Sequence, residues 1–174
     1  MVEPVTEGDA LAAPQPLKEG TMLAEHILGM LGHSPFFADF DRDDVKALSG
    51  YMEVYRAEPG TIILREGDQG DTMLLLLQGK VDVLKKDRHG IQQRMTSILP
   101  GMTLGEMSLI DGEPRFATCR AAELTTYAVL TRDSMVNIIL EHPSLASKLL
   151  VKLVTLLSQR LRYTTGKLLE YMEK

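Results

Sequence analysis

Gly105, Glu106 and Arg115 fall within eleven positions, in a stretch that reads Gly105-Glu106-Met107-Ser108-Leu109-Ile110 and then Pro114-Arg115-Phe116-Ala117-Thr118. These residue types at this spacing suit a phosphate carried on a sugar. Glycine has no Cβ, so its backbone can come close to a ligand. A carboxylate beside it can accept hydrogen bonds from sugar hydroxyls. Arginine can hold a phosphate with two parallel N–H···O bonds, which lysine cannot copy. If Gly105 to Ile110 forms a short helical turn, its free N–H groups also face the anion. The competing reading of the same residues is a plain surface turn, Asp111-Gly112-Glu113-Pro114, with ordinary flanking charges.

The rest of the chain must position this cluster, and its composition limits how. At 174 residues it is large enough for one domain with a substantial core and too short for two full ones. The formal charge of −5 gives no overall basic footprint for nucleic acid. The single cysteine, Cys119, excludes an internal disulfide and a multi-cysteine metal site, and it reads as a small buried hydrophobe. His26, His33, His89 and His142 show no metal-ligand spacing, so no metal is expected. No Ser/His/Asp or Cys/His grouping points to nucleophilic catalysis, so no catalytic residue is assigned. Met1 to Gly20 lacks the charged start and long apolar run of a signal peptide, and no segment reaches membrane-spanning length. The expectation is a soluble cytoplasmic protein that is not an enzyme.

Residues 1–20, with Pro4, Pro14, Pro16 and several acids, read as a flexible tail. Residues 21–50 read as N-terminal helices. The first carries Met22, Ile27, Leu28 and Leu31 on one stripe, and the second, Arg42 to Ser49, is capped by Asp41 and closed by Gly50. From Tyr51 the period changes. Thr61 to Arg65, Met73 to Leu77, Lys80 to Leu84, Ile91 to Leu99, Thr118 to Ala122 and Thr125 to Leu130 read as strands, with turns rich in glycine between them. Residues 51–130 therefore read as an antiparallel sandwich or barrel. Residues 131–174 read as two helices broken at His142-Pro143, with Ser144 as cap of the second. Leu150, Leu153, Leu157, Leu161, Thr164, Leu168 and Met172 step by three or four along that last helix. At about 30 residues it is roughly 45 Å long, more than one small β domain can cover, so the stripe points to a homodimer seam. The bland alternative is a stripe packed only on its own domain. Lys148, Lys152, Arg160, Arg162 and Lys167 are scattered and read as a solvated face.

Residues 104–118 resemble the phosphate-binding cassette of the cyclic nucleotide-binding domains, the family of the catabolite activator protein and the regulatory subunits of cyclic AMP-dependent protein kinase. Gly-Glu, Pro-Arg and Ala-Thr match. Leu104 replaces a usual Phe, and Phe116 stands where the family carries Ala, Ser or Thr. Pro59-Gly60, Glu66-Gly67-Asp68, Gly70-Asp71, Gln78-Gly79-Lys80-Val81 and Pro100-Gly101 sit where that family places its β-roll turns, and the resemblance extends from Phe36 to Met172.

The resemblance implies an α+β fold: an antiparallel, jelly-roll-like β-roll (a double-stranded β-helix) with N-terminal helices and a long C-terminal helix. It implies a ligand site of Gly105, Glu106, Met107, Ser108, Arg115, Phe116 and Ala117. Arg115 would pair with the cyclic phosphate, Glu106 would accept from the ribose 2′-hydroxyl, and Gly105 and the Ala117 N–H would complete the cradle. Thr164 and Thr165 match a Thr-Ser pair that reaches adenine, one residue acting from the partner subunit; their plain reading is as helix-surface threonines. The implied function is a cyclic nucleotide sensor, with cyclic AMP as ligand, a homodimer through the last helix and a downstream protein as output. The chain stops about two turns after Thr165, where transcription factors of the family continue into a helix-turn-helix, so a stand-alone sensor without direct DNA contact is expected. Phe116 keeps an alternative open, a degenerate fold that acts as a ligand-independent dimeric interaction module. A third option is a sensor of another nucleotide such as cyclic di-GMP.

Overall fold

In a computed structural model, which describes residues 13–17, 20–30 and 34–172, the order of elements is β1 (Gln15–Leu17), α1 (Gly20–Met30), a 3-10 turn (Pro35–Phe37), α2 (Arg42–Ser49), β2 (Glu53–Ala57), β3 (Ile62–Leu64), β4 (Thr72–Gln78), β5 (Val81–Lys86), β6 (Gln92–Ile98), β7 (Thr103–Leu104), α3 (Glu106–Asp111), β8 (Thr118–Ala121), β9 (Thr125–Thr131), α4 (Arg132–Glu141) and α5 (Pro143–Met172). The strands form two antiparallel sheets, β1-β2-β9-β4-β7 and β3-β8-β5-β6. This is the expected β-roll with helices before and after it, and it is not a closed barrel.

Strand β4 explains why its sequence is apolar without alternation. Both of its faces are covered, so successive residues serve two cores. Met73, Leu75 and Leu77 pack with Leu23 and Ile27 of α1, Val45 and Leu48 of α2, Met135 and Ile138 of α4, and Leu145, Leu149 and Leu153 of α5. Leu74 and Leu76 point between the sheets, to Val81, Ile98, Leu104, Ala121 and Tyr127. Cys119 lies in this second core, and burial pushes its thiol up to about 12, so it behaves as the expected hydrophobe.

Helix α2 starts as its sequence predicts. Asp41 Oδ1 accepts from the Asp44 N–H at 2.8 Å, and Asp44 Oδ2 accepts from the Asp41 N–H at 3.1 Å. This reciprocal cap satisfies two N–H groups that the helix itself cannot.

Three expectations change. Gln15 to Leu17, inside the stretch read as a tail, pairs antiparallel with Val54 to Arg56 as an edge strand, while residues 1–12 and 18–19 lie outside the described residues. Proline has no N–H to give and suits an edge position, which is why a proline-rich segment can hold this place. Ser144 is not the cap of α5. The helix opens at Pro143, a first-turn position where a missing N–H costs nothing. The basic residues of α5 are not a uniform solvated face. Lys148 pairs with Asp44 and Asp41, Lys152 with Asp39 and Arg160 with Glu106, so three of the five fasten the helix to the rest of the domain.

Candidate phosphate-binding site

The site is built where β7 stops. Gly105 turns the chain at φ +82 into α3, a conformation that suits glycine. The turn is also crowded. A Cβ on Gly105 would stand 2.8 Å from the Thr72 carbonyl oxygen and 2.9 Å from Arg115 Nη1. At the far end of α3, Arg132 donates from Nε to the Leu109 carbonyl at 3.0 Å and from Nη2 to the Ser108 carbonyl at 2.8 Å. A cation at a helix C-terminus satisfies carbonyls that lack intrahelical partners. Ser108 is buried, and Met107 is exposed.

Arg115 is held at its backbone and at its tip. Its N–H donates to the Asp68 carbonyl at 2.8 Å and its carbonyl accepts from the Gly67 N–H at 2.9 Å. Its guanidinium donates from Nη1 to the Thr72 carbonyl at 2.7 Å and to the Gly105 carbonyl at 3.2 Å, and from Nη2 to Thr72 Oγ1 at 2.6 Å. All these acceptors are uncharged. The residue is 6 % exposed, and no carboxylate lies at ion-pair distance from it among the described residues. Burial pulls its pKa below the usual arginine value, with Cys119 and Asp71 acting in the opposite sense, and an arginine remains cationic at neutral pH. The charge is thus buried and held in place, yet has no counter-ion. Gly70 makes room for it, since a Cβ there would lie 2.2 Å from Nε and 2.5 Å from Cζ. Directly after Arg115, the N–H groups of Phe116 and Ala117 donate to no acceptor among the described residues.

Glu106 is 1 % exposed and engaged on both oxygens. Oε1 accepts from the Thr103 hydroxyl in a short contact, and Oε2 accepts from Arg160 Nη1 at 2.8 Å. Arg160 Nη2 also reaches the Thr103 carbonyl at 2.8 Å. The residue of α5 that touches the cassette is therefore Arg160. Thr164 and Thr165 are exposed, neither hydrogen-bonds to the cassette, and Thr164 Oγ1 donates to the Arg160 carbonyl at 2.9 Å. Phe116 points neither into a core nor onto Arg115. It is 53 % exposed, with Lys85 Nζ 4.3 Å from its ring centroid.

Sequence reasoning missed Gly70 and Thr72 as supports of Arg115, and Arg160 and Thr103 as partners of Glu106. For Gly70 the signal was present, because Gly70-Asp71 stands among the recognised turn motifs. Arg160 lies one helical turn before Thr164, on the stretch already matched. Among the described residues no group of His, Cys, Asp and Glu side chains could hold a metal ion, and no helix is long and apolar enough to cross a membrane.

A family model for the cyclic nucleotide-binding domain matches residues 54–142. A solved cyclic nucleotide-binding domain from Methylobacillus flagellatus superposes with a TM-score of 0.80 at 35% identity, covering 91% of this chain and 89% of that one. The chain belongs to the cyclic nucleotide-binding domain family. Relatives of this domain include the cyclic AMP receptor protein of Thermus thermophilus, 30% identical over 74% of this chain. Another is the cAMP-dependent protein kinase regulatory subunit of Yarrowia lipolytica, 28% identical over 66% of it. The chain spans 58% of the length of the first and 30% of the second. The two sheets with helices before and after them are thus the fold of that family.

Proposed function

We propose that this domain is a sensor of a cyclic nucleotide, cyclic AMP foremost, acting in the cytoplasm and passing the binding event to a partner protein through α5. The observation that carries this reading is Arg115. A buried guanidinium with only neutral acceptors is costly unless an anion joins it. A cyclic phosphate supplies that anion and accepts from the free N–H groups of Phe116 and Ala117. Glu106 is the acceptor for the ribose 2′-hydroxyl, and Thr164 and Thr165 reach the base, one of them from the partner subunit of a homodimer seamed along α5. The reading gives no residue a nucleophile's or a base's task, so the ligand leaves unchanged.

Binding can move a helix only through contacts that differ between the free and bound states. The Arg160–Glu106 pair is such a contact, because a ribose hydroxyl on Glu106 shares its carboxylate with the α5 cation. The test is isothermal titration with cyclic AMP, cyclic GMP and cyclic di-GMP. Saturable binding of cyclic AMP, tighter than the other two, is the expected result. Absence of heat with all three favours the alternative module, for which the exposed apolar residues of α5 would be the working surface.

A further inference from the structure

Phe116 is the residue at which this chain departs from its family's cassette, and the structure surrounds it with a device that the cassette alone does not require. Strand β5 alternates regularly against β8, so Lys85 falls on the same face as Val81 and Val83, the face turned toward the space between the sheets. Lys85 Nζ lies 4.3 Å from the Phe116 ring centroid and donates to the Phe116 carbonyl at 2.6 Å. Its charge is met by Glu66 Oε1 at 2.7 Å. Glu66 in turn accepts from the Lys86 N–H at 3.1 Å, and its own N–H donates to Thr118 Oγ1 at 3.0 Å. One lysine therefore binds the aromatic face and the backbone of the same residue, and is itself fixed from the Glu66 turn.

We infer that Lys85 is a positioning residue for the phosphate cradle, one that holds Phe116 at the rim and so keeps the N–H groups of Phe116 and Ala117 open to the ligand. This rests on the cyclic nucleotide reading above. A small residue at position 116 needs no such restraint. A phenylalanine does, because its ring can turn over the cradle that follows Arg115. A cation over a ring is attracted to the π face, and the bond from the same ammonium to the carbonyl ties the ring to its own backbone. Glu66 neutralises Lys85, so of these two cations at the cradle Arg115 is the one without a carboxylate partner among the described residues. A site with one such charge suits a cyclic mononucleotide, which carries a single phosphate, better than a cyclic dinucleotide, which carries two.

The test is a double-mutant cycle read by titration with cyclic AMP, with amide exchange on the ligand-free protein. Lys85→Met should weaken binding about tenfold, and Lys85→Arg, which keeps a cation and donors, should stay close to the parent. Phe116→Ala alone should shift affinity by less than about threefold, and Phe116→Ala added to Lys85→Met should restore it to within about threefold of the parent. In the free protein, Lys85→Met should slow exchange at the Phe116 and Ala117 amides, because the released ring covers N–H groups that are open in the parent. Equal affinity of Lys85→Met and parent overturns the inference. A double variant as weak as Lys85→Met alone also overturns it, since the lysine would then act only through its charge. A parent that binds no cyclic nucleotide refutes the proposed function instead, and unchanged amide exchange in Lys85→Met would then refute the positioning role as well.

Discussion

At the scale of single residues, the site depends on what is left out as much as on what is present. Gly70 leaves a space that the Arg115 guanidinium fills, and a methyl group there would stand 2.2 Å from Nε. Gly70→Ala should therefore displace the guanidinium and weaken cyclic AMP binding by about tenfold or more, the usual effect of losing a charge-assisted contact. Titration beside a thermal melt checks this, and a variant that binds like the parent would contradict the role given to Gly70. The sequence places Gly105, Glu106 and Arg115 in one short stretch, and the fold brings Gly105 and Arg115 into contact, the Arg115 guanidinium donating to the Gly105 carbonyl. Their supports were not legible in the sequence. Thr72 stands 43 positions from Arg115, and no local pattern announces a carbonyl and a hydroxyl that meet a guanidinium across the fold. The surroundings of Phe116 were hidden for the same reason, since Lys85 reaches it from β5, 31 positions away in the chain.

At the scale of elements, α3 and α5 are joined through one buried carboxylate. Arg160 is the only basic side chain in an ion pair with Glu106 among the described residues. Arg160→Ala should leave a charge in the interior with only the Thr103 hydroxyl as partner. The expected loss is on the order of 2 kcal/mol in urea unfolding, below that of a fully enclosed pair because the arginine is partly solvated. Unchanged stability would show that water replaces the guanidinium without cost. The strands and helices themselves were largely legible. Glycine turns divided the strands, and the apolar run from Met73 to Leu77 read as one of them. Strand β1 was not legible, because its three residues gain their conformation from β2 and not from propensity. Helix α5 starts two residues before the start that a Ser144 cap implies, because Pro143 is itself suited to the first helical position.

At the scale of the whole molecule, the C-terminal half of α5 leaves the core. Leu153 is fully buried, but Leu161 is 68 % and Met172 is 73 % exposed, although they lie on the same stripe. A second copy of the helix is the proposed cover. Light scattering at micromolar concentration should find a dimer, and Leu161→Lys should yield a folded monomer, because the new charge meets water in the single chain and an apolar seam in the dimer. A monomeric parent would contradict this. The length and stripe of α5 could be read from sequence. The part of the helix that its own domain covers could not be read, since that depends on how α1, α2 and α4 pack around its first turns.

The central claim is that Arg115 is a buried cation kept for a ligand phosphate. Titration of cyclic AMP into the parent, Arg115→Lys and Arg115→Ala tests it most directly. Lysine keeps the charge and loses the fork, and alanine loses both. The account predicts saturable binding by the parent, weaker binding by the lysine variant, and a loss of about 2 kcal/mol or more for the alanine variant. Equal affinity of parent and Arg115→Ala for cyclic AMP would contradict it.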